Sequence, residues 1–183
     1  MRIVHLSDTH LGFSAYSKID PSDGVNAREK DFYSAFRQAV DKAIELKPDA
    51  VVHAGDLFDV PRPTNRAIVF AQEQLIRLSE AGIETVLISG NHSTPRLSES
   101  ANIFRIFEPW KHIHPLHSPG IQTVVVGDIT FRAAPHSSDP PLSRIATEMH
   151  LSRETKYNVA VLHIGIIDSK NKYMMDEFNE QSV

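Results

Sequence analysis

The residue order predicts an α/β protein, and three observations carry that reading. Short apolar runs at 2–7, in "DAVVHAGD" and in "ETVLIS" have the length of buried strands. Two stretches of helical period, 27–46 and 65–81, separate them, and strand–helix alternation of this kind pairs strands in parallel. Each run stops at glycine, aspartate, asparagine or histidine, and in such sheets ligands bind at the carboxyl ends of strands.

The first run ends at Asp8. A polar loop with Asp20-Pro21 and Asp23-Gly24 as breakers leads to Asn26, which stands ahead of Glu29 at capping-box spacing. Phe32, Phe36, Ala39, Val40, Ala43 and Ile44 recur at helical period, so 27–46 is the first helix, and Pro48 ends it. "DAVVHAGD" is the second strand, stopping at Gly55-Asp56, and "PRPTNRA" is a loop into a helix over 65–81 with Gly82 beyond its end. "ETVLIS" is the third strand, and a shorter helix is expected over 98–108. "PWKHIHPLHSPG" reads as a loop before a hairpin, "IQTVVV" and "ITFRAA" joined by Gly127-Asp128. A short helix near 142–150 precedes the last strand, "YNVAVLHIG", and the tail from Asp168 is polar.

The length of 183 residues suits one domain with a substantial core. At 41% hydrophobic and 23% charged, the composition is that of a soluble globular chain. A formal net charge of −4 means that any nucleic-acid binding depends on local patches and metal ions. The absence of cysteine removes disulfides, thiolate nucleophiles and zinc–thiolate sites, and suits a reducing, cytoplasmic setting. "MRIVHLSD" turns polar too early for a signal-peptide core, and no apolar run approaches the ~20 residues of a membrane span. Ten histidines raise the prospect of metal chemistry.

The strand ends locate it. They carry Asp8-Thr9-His10, Gly55-Asp56, Gly90-Asn91-His92 and His163. Carboxylates, an amide oxygen and imidazoles together suit Mn²⁺, Fe²⁺ or Zn²⁺ better than Mg²⁺, which prefers oxygen and water. One aspartate can bridge two cations about 3.5–4 Å apart, an arrangement used for in-line attack on phosphorus. Gly55 and Gly90 are read as sharp turns that aim the next side chain inward. Each motif alone is common; four in order, each closing a strand of one sheet, are not.

"LSDTHLG", "HAGDLFD", "SGNH" and "VLHIG" resemble the calcineurin-like metallophosphoesterases. "HLSDTHLG", "AGDLFD" and the Arg28-x-x-Asp31…Ala35-Phe36 pattern are most similar to the SbcD-type double-strand-break repair nucleases. The resemblance runs from residue 1 to about 167 and implies a layered sheet sandwich flanked by helices, with the metal site at the C-terminal strand ends. It implies Asp8 and His10 on a first metal, Asp56 bridging, and Asn91 and His163 on a second. His92 would instead contact the scissile phosphate and help protonate the leaving oxygen, with metal-activated water attacking. Two divalent cations are implied, Mn²⁺ first, with Mg²⁺, Fe²⁺ or Zn²⁺ as substitutes. DNA ends are the implied substrate and an SbcC-type ATPase the implied partner.

The family closes its site with a Gly-His-x-His motif, and no histidine follows His163 here. The expectation is a core domain over 1–183, C-terminally incomplete and without the capping domain, which leaves the chain two ligands short. His112 and His114 in "KHIHPLH" imitate the motif but precede the His163 strand, and are read as part of a wet loop. His5 and His53 are read as core histidines, and His117, His136 and His150 as surface residues. Asp59 is open between a role behind the site and a turn or cap, and Arg96 between a phosphate contact and a solvated side chain. Ser93 stands where the family commonly has aspartate, and its hydroxyl is expected to hold the loop.

Surplus apolar residues on helices 65–81 and 98–108 suggest a homodimer face, the rival being burial within the domain. No membrane association is expected. The reading is a DNA nuclease; its rivals are a phosphodiesterase for nucleotides or other small esters, and a non-catalytic scaffold that keeps the fold.

Overall fold

A computed structural model describes residues 1–16, 18–94, 101–136 and 142–164. Strands β1 (Ile3–Leu6), β2 (Ala50–His53) and β3 (Thr85–Ile88) alternate with helices α1 (Ala27–Leu46) and α2 (Asn65–Glu80). A 3₁₀ turn, Ile103–Phe107, leads to β4 (Ile113–Leu116). The hairpin β5 (Gln122–Val126) and β6 (Ile129–Ala134), helix α3 (Leu142–Glu148) and β7 (Tyr157–Leu162) follow.

β1 to β4 form one parallel sheet in that order, while β5, β6 and β7 form a second, with β5–β6 antiparallel and β6–β7 parallel. Side chains alternate across each strand, and the two faces of the first sheet therefore feed two cores. Val51 and Leu87 face α1 and α2, where Phe36, Val40, Phe70, Leu75 and Leu78 are buried. Val52, Val86 and Ile88 face the second sheet and meet Phe131, Ala133 and Val161. The result is the expected α/β sandwich, with helices on one side of the parallel sheet and the second sheet on the other.

Local chemistry accounts for the helix ends. Asn26 Oδ1 accepts from the Arg28 and Glu29 N–H groups, capping α1, and Thr64 Oγ1 accepts from Ala67 N–H at the start of α2. Only half of the capping box forms, because Glu29 turns its buried carboxylate to the Tyr33 hydroxyl at 2.6 Å and Arg66 at 3.5 Å.

Several expectations are corrected, beginning with the four strand-end motifs: three close strands of the parallel sheet, but His163 closes β7 of the second sheet. "PWKHIHPLHSPG" contains β4, an edge strand, where proline is tolerated because the outward amide needs no partner. His112 and His114 are not in a wet loop: they share Glu84, whose carboxylate meets them at 2.8 and 2.7 Å. The segment expected to be a helix over 98–108 is a 3₁₀ turn at Ile103–Phe107; 98–100 and Arg96 lie outside the described residues. Its apolar side chains, with Ile68 and Trp110, pack largely against the domain's own core, and Val69 and Ile76 on α2 stay exposed. His5 is exposed on β1, an edge of the sheet, whereas His53 is buried as expected. His117 is partly buried against Glu108, and His136 is half-buried. Among the described residues no helix is long and apolar enough to cross a membrane.

Candidate metal centre

The loops after β1 and β2 continue side by side beyond the sheet. Asp8 N–H donates to the Gly55 carbonyl at 3.0 Å, His10 N–H to Asp56 at 3.0 Å, and Leu11 N–H to Leu57 at 2.8 Å. Asp8, His10 and Asp56 have φ of 55°, 40° and 52°, a left-handed backbone that non-glycine residues seldom adopt. Thr9, between them, accepts from the buried His53 Nε2 at 2.9 Å and donates to the Leu57 carbonyl at 3.2 Å. Burial pushes the His53 imidazole down to about 4, so it acts as a neutral strut.

The two glycines serve different ends. Gly55 has φ 110°, and a Cβ there would also collide with the His163 ring. Gly90 lies outside the left-handed region, so its expected bend is corrected to close approach: a Cβ would overlap Asp56 Oδ1 and stand 2.7 Å from Asp56 N.

These constraints bring all six predicted residues to one rim. His10 Nε2 lies 3.9 Å from Asp8 Oδ1 and 3.9 Å from Asp56 Oδ2. His163 Nε2 lies 2.9 Å from Asn91 Oδ1 and 3.3 Å from the same Asp56 oxygen. Asp56 Oδ1 accepts from His92 N–H at 3.0 Å. His92 and His10 meet edge to face, with ring centroids 4.8 Å apart. Donors sharing a cation at ~2.1 Å stand about 3–4 Å apart, so both sets have suitable spacing.

Proton positions support the same fit. His163 Nδ1 is 2.9 Å from the Ala54 carbonyl, which can only accept, so Nδ1 carries a proton. Neutral His163 then presents the Nε2 lone pair to Asn91 Oδ1 and Asp56 Oδ2. Those lone pairs repel unless a proton or a cation lies among them. Burial pushes the His163 imidazole down, but the hydrogen bond and charge of Asp56 hold it above its ordinary value. Burial likewise raises Asp56, but His163 and the His92 N–H keep its carboxyl below the usual range.

Other residues here were less legible from sequence. Asp59 faces His10 Nδ1 with its carboxylate at 3.3 Å and His92 Nδ1 with its main-chain carbonyl at 2.6 Å. Ser93 is fully buried, but its hydroxyl has no hydrogen-bond partner among the described residues, contrary to expectation. The Ser93 N–H and the Thr94 hydroxyl, both donating to the Gly90 carbonyl, hold that loop instead. His136 follows β6 on the side of His163, lowered by burial and then by the charge of His163; no signal in the sequence marked it.

Residues 1–181 match the calcineurin-like phosphoesterase family. The chain belongs to that family. Calcineurin-like phosphoesterases use divalent metal ions, and the Asp8–Asp56–His163 and His10–Asp59–His92 groups each bring their ligand atoms within 4.8 Å of one another. The chain is 34% identical over 166 residues to the DNA double-strand break repair protein Mre11 of Sulfurisphaera tokodaii, covering 90% of this chain and 41% of that protein. It is 39% identical over 108 residues to Mre11 of Methanococcus maripaludis, covering 59% and 27% respectively. Against Mre11 of Saccharolobus solfataricus it is 45% identical over 96 residues, covering 52% and 23%. The chain thus spans less than half the length of these relatives.

Proposed function

We propose that the chain is the core domain of a DNA-repair nuclease of the SbcD and Mre11 kind, hydrolysing phosphodiester bonds at DNA ends with two divalent cations. The observation that carries this reading is the seat of Asp56, a buried carboxylate whose Oδ2 stands 3.9 Å from His10 Nε2 and 3.3 Å from His163 Nε2, with Asp8 beside the first ring and Asn91 beside the second. Asp8 and His10 would hold one cation, Asn91 and His163 the second, and Asp56 both; the mixed nitrogen and oxygen donors suit Mn²⁺, Fe²⁺ or Zn²⁺, among which the family resemblance puts Mn²⁺ first. Bound cations lower the pKa of water and draw charge from a phosphoryl group. The chain's own part is to fix geometry and move a proton. His92 commits its Nδ1 proton to the Asp59 carbonyl, which leaves Nε2 to meet the phosphate and, when protonated, to donate to the leaving oxygen.

The test uses full-length protein with Mn²⁺, linear double-stranded DNA and bis-p-nitrophenyl phosphate. Hydrolysis of DNA is expected. Cleavage of the small ester alone would make this a small-molecule phosphodiesterase, and no Mn²⁺ uptake by calorimetry would make it a scaffold. His92→Ala is expected to cut turnover about 10²- to 10⁴-fold while leaving Mn²⁺ content unchanged; lost metal would show that His92 is a ligand.

The same reading includes an SbcC-type ATPase as partner and a homodimer through α2 and the segment before β4. Val69 and Ile76, both exposed on α2, support the latter, and light scattering of the full-length protein measures it.

A further inference from the structure

His10 is gripped from both sides of its ring. Nε2 faces the carboxylates of Asp8 and Asp56, each at 3.9 Å, while Nδ1 faces Asp59 Oδ1 at 3.3 Å. That Nδ1 is buried and has no aligned hydrogen bond, and Asp59 is the one carboxylate within 4.0 Å of it among the described residues. At 3.3 Å the contact is at the long end for a hydrogen bond, and contacts of this kind tighten when a site engages its ligand.

Asp59 makes a second contact of a different kind. Its main-chain carbonyl, not its side chain, meets His92 Nδ1 at 2.6 Å. Asp59 is itself anchored, because its N–H donates to the Leu11 carbonyl at 3.2 Å and the adjacent Phe58 is fully buried in the helix-side core. One fixed residue therefore addresses both imidazoles, by groups that mutation can separate.

We propose that Asp59 is the positioning residue of the centre: its carboxylate keeps the His10 proton on Nδ1 and aims Nε2 at the first cation position, while its carbonyl independently orients His92. The proposal rests on the two-cation reading for its metal-binding consequence, but its tautomer consequence stands without metal. A carboxylate behind a ligating imidazole fixes the tautomer and raises the basicity of the ligating nitrogen, and losing such a group typically costs about 10- to 100-fold in metal affinity. Had the Asp59 side chain held His92 as well, one substitution would disturb both rings.

The experiment compares wild-type chain with Asp59→Asn and Asp59→Ala. Long-range ¹⁵N–¹H spectra of the metal-free proteins report the tautomers of His10 and His92, and Mn²⁺ titration reports affinity. In the wild type, both rings are expected as Nδ1–H tautomers. Asp59→Ala is expected to move His10 toward the Nε2–H form, leave His92 unchanged, and weaken the first Mn²⁺ about 10- to 100-fold. Asp59→Asn, which keeps an acceptor of the same shape without charge, is expected to fall between. An unaltered His10 tautomer in both variants overturns the proposal, as does an equal shift of His92. If the tautomers respond as expected but the wild type takes up no Mn²⁺, the two-cation reading fails and the positioning role stands.

Discussion

A carboxylate as buried as that of Asp56 keeps its charge only where donors meet it, and His163 and the His92 N–H meet this one. The pair gives the metal-free chain a definite pH dependence. His163 is raised above 6.5, so its contribution to stability is full below that value and is lost as pH rises through the raised one. Asp56 is lowered below 3.8, so its contribution is present above that value and is lost as pH falls through the lowered one. In EDTA, Tm is expected to be lower near pH 8 than near pH 6, and Mn²⁺ to remove the difference by taking the proton's place (pH values about these). Scanning fluorimetry at both values, with and without Mn²⁺, checks this; a flat Tm in EDTA would sever the link. The residues of this pair were legible because each closes a strand. The roles of Asp59 and Gly90 were not, because both depend on a neighbouring loop coming within contact distance, which no local pattern records.

Elements were legible where hydrophobic period was clean. Helix α1 and the β5–β6 hairpin fall where periodicity and Gly127-Asp128 put them. β4 was hidden, because "IHPL" mixes proline and histidine and lacks alternation. Its ladder to β3 uses the His112 and Leu116 carbonyls, and that alternation turns residue 115 outward. Pro115 thus offers no donor along the free edge of the sheet, a protection against edge-to-edge pairing. Pro115→Thr is expected to change stability by no more than about 0.5 kcal/mol yet to promote concentration-dependent association. Urea unfolding and light scattering measure the two effects separately, and unchanged scattering would leave Pro115 without this role.

At the scale of the molecule, two cores do different work for the site. The helix-side core supports Asp59 through Phe58, whereas the inter-sheet core sets the His163 strand against the strand that delivers Asp56. Phe131, fully buried between the sheets, is the largest side chain in that second core. Phe131→Ala is expected to cost about 3–5 kcal/mol and also to weaken Mn²⁺ binding, while Phe70→Ala on the helix side, of similar cost, is expected to spare it. Urea unfolding paired with Mn²⁺ calorimetry distinguishes them; equal metal affinities would mean that the sheets keep their spacing without Phe131. The layered fold was predictable from strand and helix order, but not the division of the core, which depends on which face of β2 and β3 each valine and leucine takes. The left-handed backbone at Asp8, His10 and Asp56 has a consequence for how such a protein changes over generations. Each of these conformations costs on the order of 1 kcal/mol, which glycine would relieve. Selection for heat tolerance alone would therefore favour glycine at Asp8 and His10, which lie outside the buried Asp56–His163 pair, and under the proposed function only continued demand for the chemistry keeps those side chains in place.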